Sequence, residues 1–205
     1  MTDRSPVRST ARSVFPPMPR ALRAAASVAG VAALVALPVW AATALKADPA
    51  RSQVVATFKQ MNVPVDAPFK SFSAQVVYDA AKPDASSARV EVDVASLDLG
   101  DPTYSGEVRK KEWFDAARFP KATFVSSQIR PGAGGKLDVS GKLTIKGTSQ
   151  DVAFALGVRQ EGGAQVFEGA MPIKRLSFNV GEGEWKDTSM VADEVTIKFR
   201  VVAAP

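Results

Sequence analysis

The sequence predicts an all-β protein: a closed, eight-stranded antiparallel barrel with one short capping helix, preceded by an N-terminal signal peptide. Three observations lead there. Apolar and polar residues alternate with a period of two along most of the chain after Gln53, the pattern of strands with one face buried. Short clusters of Gly, Pro, Asp and Ser separate these runs, which favours antiparallel neighbours joined by tight turns. An uncharged apolar run near the N-terminus follows arginines and ends in small residues, the order of a secretory leader.

That run is Ala24 to Trp40, behind Arg20 and Arg23, with Ala41, Ala42 and Ala44 after it. Small residues permit cleavage after Ala44 or after Ala41; the boundary adopted is residues 1–44 for the signal peptide and 45–52 for a linker. An uncleaved N-terminal membrane anchor is the alternative, although Pro38 interrupts the run and its length is at the lower edge of the roughly 17 to 25 residues a spanning helix needs. The basic region before it is unusually long, and Met18 is an alternative start of translation. The expected location is periplasmic or secreted.

Residues 53–205 form the expected barrel. Gln53 to Met61 reads as the first strand, with Val55 and Phe58 as its apolar residues, and Pro64 interrupts the ladder. Phe69 to Tyr78 is the second, with Phe72, Ala74, Val76 and Tyr78 on one face. Ala88, Val90, Val92 and Val94 alternate with Arg89, Glu91 and Asp93. Asp101-Pro102 resembles an N-cap followed by Pro at the first helical position, and Glu107 with Lys111 is an i,i+4 pair, so a short helix from about Pro102 to Trp113 is expected. Gly106 lowers its propensity, which makes it a cap held by packing rather than an independent helix. Strands then follow over Ala122 to Ile129, Leu137 to Ile145, Val152 to Val158 and Phe167 to Ile173. Leu176, Phe178 and Val180 continue the alternation, a polar loop runs from Gly181 to Asp193, and Val195 to Val201 is the last strand. The count is about eight strands.

The outward rows carry Arg89, Glu91, Asp93, Lys136, Asp138, Lys142, Lys198 and Arg200. A lipid-facing barrel exterior would not hold them. Inside, small residues such as Ala74, Ala88, Gly141 and Gly169 among Phe and Leu leave two outcomes open, a filled core or a tunnel for one small ligand. The chain of 205 residues has a net charge of +5, but residues 1–44 hold five Arg and one Asp, leaving 21 basic and 20 acidic residues in the rest. No nucleic-acid footprint remains. There is no Cys and no His, so thiolate nucleophiles, disulfides and imidazole chemistry are excluded. No nucleophile and base are paired in the sequence, so no catalytic residue is assigned. The carboxylates Glu182, Glu184, Asp187, Asp193 and Glu194 lack the spacing of a calcium loop, and no metal site is expected.

Two stretches carry a resemblance. EWFDAARFPKATFVSS places Trp113-Phe114, Phe119-Pro120 and Phe124-Val-Ser126 in order, and GKLTIKG spans Gly141 to Gly147, followed by IKRLSFNVGEGEW. Over about Ala47 to Val202 the chain resembles the YceI-like family of periplasmic lipid-binding barrels. The resemblance implies a lipocalin-like barrel whose apolar tunnel holds a polyisoprenoid or quinone, with no covalently bound cofactor required. The chain departs from the family where Lys59-Gln60 stands in place of a frequent Lys-His, which removes a titrating contact to a head group. On this basis the expected ligand-binding residues are Phe58, Phe72, Trp113, Phe114, Phe119, Phe124, Arg175, Phe178 and Trp185. Each aromatic has core packing as its alternative, and Arg175 has a surface ion pair with Glu182, Glu184 or Asp187. The implied partner is an isoprenoid lipid; transient membrane or membrane-protein contact and homodimerisation stay open, and the rival function is a structural or stress-interaction barrel with a filled core.

Overall fold

The structure is a computed structural model and describes residues 43–205; the expected signal segment up to Ala42 lies outside them. Ten strands form one sheet: β1 (Thr43–Ala47), β2 (Gln53–Gln60), β3 (Val63–Phe69), β4 (Phe72–Tyr78), β5 (Ser87–Asp93), β6 (Lys121–Pro131), β7 (Leu137–Ile145), β8 (Thr148–Glu161), β9 (Ala164–Lys174) and β10 (Val191–Ala204), with α1 (Pro102–Glu107) between β5 and β6. The order β1-β4-β5-β6-β7-β8-β9-β10-β2-β3 is closed by a β1–β10 pairing. β1 and β2 are two halves of one bent strand, and β3 and β4 are two halves of the next, since β1 pairs with β4 and β2 with β3. The ring therefore has eight staves, all antiparallel.

The segment expected as a linker is a correction: Leu45 lies opposite Val76, and Lys46 pairs with both Gln75 and Ala204, so residues before Gln53 belong to the barrel wall. The break at Asp48–Ser52 is bridged by one backbone and one side-chain hydrogen bond. Asp48 N–H donates to Val202 O (2.8 Å), and Val202 N–H donates to Ser52 Oγ (2.9 Å), so the β10 edge stays satisfied where the partner strand bends away.

Pro64 does not end the ladder; it sits inside β3 opposite Lys59. Asp98 N–H donates to Pro68 O (2.9 Å), which shows that the Pro64, Asp66, Pro68 row faces the edge away from β2. Two of those three residues lack an N–H, a standard way of keeping an edge strand from recruiting another. Lys70 and Ser71, expected inside a single strand, instead turn the chain and are held by Ser96 through its carbonyl and hydroxyl (both 3.1 Å).

Three hairpins close with two-residue turns in which both residues have positive φ: Met61-Asn62, Lys146-Gly147 and Gly162-Gly163. This is the twist-matched geometry of tight hairpins. The Leu176, Phe178, Val180 run, expected as a strand, is a 3₁₀ turn over Arg175–Phe178 ended by left-handed Asn179. The helix is also shorter than expected. It starts as read, with Asp101 Oδ1 accepting from Thr103 N–H (2.7 Å) and Tyr104 N–H (3.3 Å) ahead of Pro102, but ends at Glu107, whose partner is Lys110 rather than Lys111.

The outer face carries an ionic lattice. Glu168 accepts from Arg159 (2.6 Å) and Arg200 (3.1 Å), and Glu161 accepts from Arg200 (3.0 Å) and Arg159 (3.2 Å), linking β8, β9 and β10. The inner face carries the apolar rows, clearest in β7, where Leu137, Val139, Leu143 and Ile145 are all buried. Inside and outside are thus distinguished strand by strand by the two-residue period.

Candidate functional site

The inward rows do not fill the barrel. They enclose a cavity of about 430 Å³ lined by residues from every stave, within the range of small-molecule sites. Its wall is aliphatic and aromatic along the middle, with Val54, Ala74, Val90, Leu143, Met171 and Ile197 among the contributors. The two ends differ. At the end where α1 lies, Tyr104 lines the cavity yet is 62% exposed, and Glu107 and Gln60 also reach it. That end opens to solvent. At the opposite end, where β1 begins, the wall is made by buried Ile129, Leu137, Phe167 and Val201, with Tyr78 and Ser86. That end is closed.

Seven of the nine residues expected to contact a ligand line the cavity: Phe58, Trp113, Phe114, Phe124, Arg175, Phe178 and Trp185. Phe72 and Phe119 do not. Phe72 packs half-buried against the core at the start of β4. Phe119 lies over the β7–β8 turn, where a Cβ added to Gly147 would come within 2.8 Å of its ring, and Arg118 stacks on it with its guanidinium carbon 5.1 Å from the ring centroid. The aromatic wedge thus divides into two: Trp113 and Phe114 face the lumen, while Phe119 clamps a hairpin from outside.

Arg175 is the largest correction. It was expected at a lipid head group or in a surface ion pair, and it is 3% exposed and forms no ion pair among the described residues. Its five N–H groups donate to five backbone carbonyls: Nε to Ala192 (3.1 Å), Nη1 to Val180 (2.9 Å) and Gly181 (3.2 Å), and Nη2 to Trp185 (2.6 Å) and Val191 (2.8 Å). A guanidinium has five donors and no acceptor, so none is left for a ligand. The guanidinium also stacks on Trp113 at 5.6 Å. Burial lowers its pKa from the ordinary value, partly offset by the Asp193 carboxylate. The approach is so close that a Cβ at Gly181 would lie 2.0 Å from Nη1.

The ion pair expected of Arg175 belongs to Lys146. This side chain, 7% exposed, uses all three donors on Lys111 O (2.7 Å), Asn179 O (2.8 Å) and Glu182 Oε2 (2.8 Å). The hydrogen bond from Lys146 is the main reason the Glu182 carboxyl is held below its ordinary pKa. Two buried cations therefore pin the loops of the open end: Arg175 fixes the turn after β9 to β10, and Lys146 fixes the aromatic segment to the β7–β8 turn. Between them Trp113 stacks with Trp185 at 5.2 Å, and its Nε1 is buried without a partner among the described residues.

Several wall residues were not singled out by the sequence. Phe69 meets Phe114 edge-on (6.5 Å, 70°), and Phe154 contacts both Phe124 (5.5 Å) and Phe199 (5.4 Å). The signal for Phe154 and Phe199 was their inward parity, which core packing shares. Gly141 and Gly169, read as small residues that left a filled core or a tunnel open, have a specific role: a Cβ at Gly141 would lie 2.6 Å from the Phe124 ring, and one at Gly169 2.6 Å from Phe199. Each glycine makes room for a ring from the neighbouring strand.

Sequence and structure comparisons agree with this geometry. The sequence profile of the YceI-like domain matches residues 45–203. A UPF0312 protein from Vibrio vulnificus is 33% identical over 118 residues, covering 55% of this chain and 62% of the relative, so the chain spans less than two thirds of that relative's length. The crystal structure of Burkholderia cenocepacia BcnA is 56% identical, with TM-score 0.75 over 77% of this chain and 99% of that one. A polyisoprenoid binding domain from Saccharophagus degradans shares the fold, with TM-score 0.63 at 17% identity over 78% of this chain and 98% of that one. With the profile matching nearly the whole described barrel, this chain belongs to the YceI-like family.

Proposed function

We propose that the protein is a periplasmic binding or carrier protein that sequesters a long-chain isoprenoid lipid, of quinone or polyprenyl type, in the barrel. The observation that carries this reading is the 430 Å³ cavity with an aliphatic and aromatic wall that opens at the α1 end. Burial is the chemistry such a wall offers: at roughly 0.8 kcal/mol per CH₂, twenty carbons would contribute on the order of 16 kcal/mol gross, before ordering and partial exposure reduce it. The polyisoprenoid-binding neighbour from Saccharophagus degradans supports the ligand class. The leader-like residues 1–44 support the compartment. Exposed Met61, Val63, Tyr104 and Met190 gather at the open end, which supports transient contact with a membrane surface during loading. The rival reading, a structural barrel with a filled interior, is disfavoured by the cavity. Native mass spectrometry of protein purified from its own host tests the proposal, with one extractable isoprenoid lipid expected. A delipidated protein that takes up neither quinone nor polyprenol refutes it.

A further inference from the structure

Four hydroxyl side chains line the cavity, Tyr78, Ser86, Tyr104 and Thr123, and two of them, Tyr78 and Ser86, sit together at the closed end. Tyr78 ends β4 on the inward row of Ala74 and Val76, and Ser86 precedes β5 on the inward row of Ala88 and Val90. Asp79 N–H donates to Ser86 Oγ (3.0 Å), which occupies one of that hydroxyl's two lone pairs and leaves its proton to be given. Ser86 is 8% exposed. Neither its proton nor the Tyr78 hydroxyl has an acceptor among the described residues, and the surrounding wall of Ile129, Leu137 and Phe167 supplies none. Burial, with the Asp79 carboxylate second, raises the phenol pKa, so Tyr78 stays a protonated donor. Two hydroxyl donors facing an apolar chamber are unfavourable unless something there accepts from them. The donor groups also exclude one ligand class: no cation lines the closed end, and the guanidinium at the other end has no free N–H.

Resting on the isoprenoid reading above, we infer that the ligand binds head first, with an uncharged carbonyl-bearing head of the quinone class hydrogen-bonded by Tyr78 and Ser86 at the closed end. Its tail runs back along the apolar wall toward α1. Exposed Met61, Val63 and Met190 then meet whatever length of tail the cavity does not hold, which gives these apolar side chains a partner when the barrel is loaded.

The test compares two probes on the delipidated full barrel: a ubiquinone with two isoprene units, and squalene, which is isoprenoid and headless. Tyr78→Phe removes a hydroxyl without touching an internal hydrogen bond. It is expected to weaken the ubiquinone about five- to tenfold and to leave squalene unchanged. Ser86→Ala should do the same and Ser86→Thr should restore binding; since Ser86→Ala also removes the acceptor of Asp79 N–H, thermal unfolding is recorded for each variant and Tyr78→Phe decides if Ser86→Ala does not fold. Val125→Ala, on the exposed outer face of β6 and outside the cavity lining, is expected to change neither probe. The inference is overturned if both probes respond alike to Tyr78→Phe. Squalene binding with a ubiquinone affinity indifferent to Tyr78→Phe sinks only the head-first orientation, whereas failure of both probes to bind sinks the lipid-binding reading and this inference together.

Discussion

Arg175 separates a structural role from a ligand-binding one more sharply than any other side chain. Its five hydrogen bonds reach carbonyls on both sides of the open end, from Val180 and Gly181 after the 3₁₀ turn to Trp185, Val191 and Ala192. Arg175→Lys keeps the charge but offers three donors, so at least two carbonyls lose their partner. At about 1 kcal/mol net per hydrogen bond, with about 0.5 to 2 kcal/mol more for the lost stacking on Trp113, the expected loss is about 3 kcal/mol. Arg175→Met loses every donor, and about 5 kcal/mol approaches the whole stability of an ordinary domain. Urea unfolding followed by tryptophan fluorescence reads these differences as shifts in midpoint, with m-values checked for two-state behaviour. The reasoning is refuted if Arg175→Lys unfolds at the wild-type midpoint while its retention of bound lipid falls, because that outcome belongs to a head-group contact.

The divided aromatic wedge gives a second comparison. Phe114→Ala should alter lipid retention because Phe114 lines the cavity, whereas Phe119→Ala should leave retention intact and lower stability by about 2 kcal/mol, less than a fully buried Phe would cost; a retention assay on both variants checks this. Gly106→Ala should stabilise the barrel by about 0.5 to 1 kcal/mol, since a Cβ there meets nothing within 4 Å inside α1, and a raised thermal midpoint is the readout. The pH dependence follows from depressed carboxylates. Glu182 is held below its ordinary 4.5 chiefly by Lys146, and Glu91 likewise by Lys121 and Arg89. Lowered folded-state values contribute stability that is fully present above the unfolded value and is lost as pH falls through the folded one. A thermal melt series should therefore be flat from about pH 8 to 5 and decline below about 4.5, and with no His in the chain a transition near pH 6.5 would contradict it.

The barrel was legible because alternation is a local property. Each of the runs Ala88–Val94, Leu137–Ile145 and Val195–Val201 states its own inward face, and closure follows from short antiparallel connections. What was hidden is where partners lie far apart in the sequence. Leu45 and Lys46 form the wall only because Val76, Gln75 and Ala204 are beside them, and a strand of five residues after a long apolar leader has no period of its own to show. Pro64 looked like a break because a proline removes a ladder donor, and the break disappears once β3 is known to be an edge at that position. Arg175 and Lys146 were opaque for a related reason. Long cations near acidic residues suggest surface pairs, and nothing in the sequence says that one guanidinium will face five carbonyls.

The stretches that carry the resemblance turn out to be one set of contacts. Phe124 from the aromatic segment lies against Gly141 at the start of GKLTIKG, and Phe119 lies against Gly147 at its end. A residue added at Gly141 would also meet Val125 O at 2.5 Å, so β6 and β7 approach too closely there for any side chain. The same arrangement recurs where Phe199 of β10 covers Gly169 of β9. In each case a large ring occupies the space that a side chain at the glycine would take. An eight-stranded ring is narrow enough for side chains to fill it, and the phenylalanines that line the cavity, among them Phe58, Phe69, Phe124, Phe154, Phe167 and Phe199, would supply ample bulk. The glycines therefore keep the barrel hollow indirectly, by giving rings a place on the wall, and the cavity is a consequence of where the aromatics are placed rather than of how few there are.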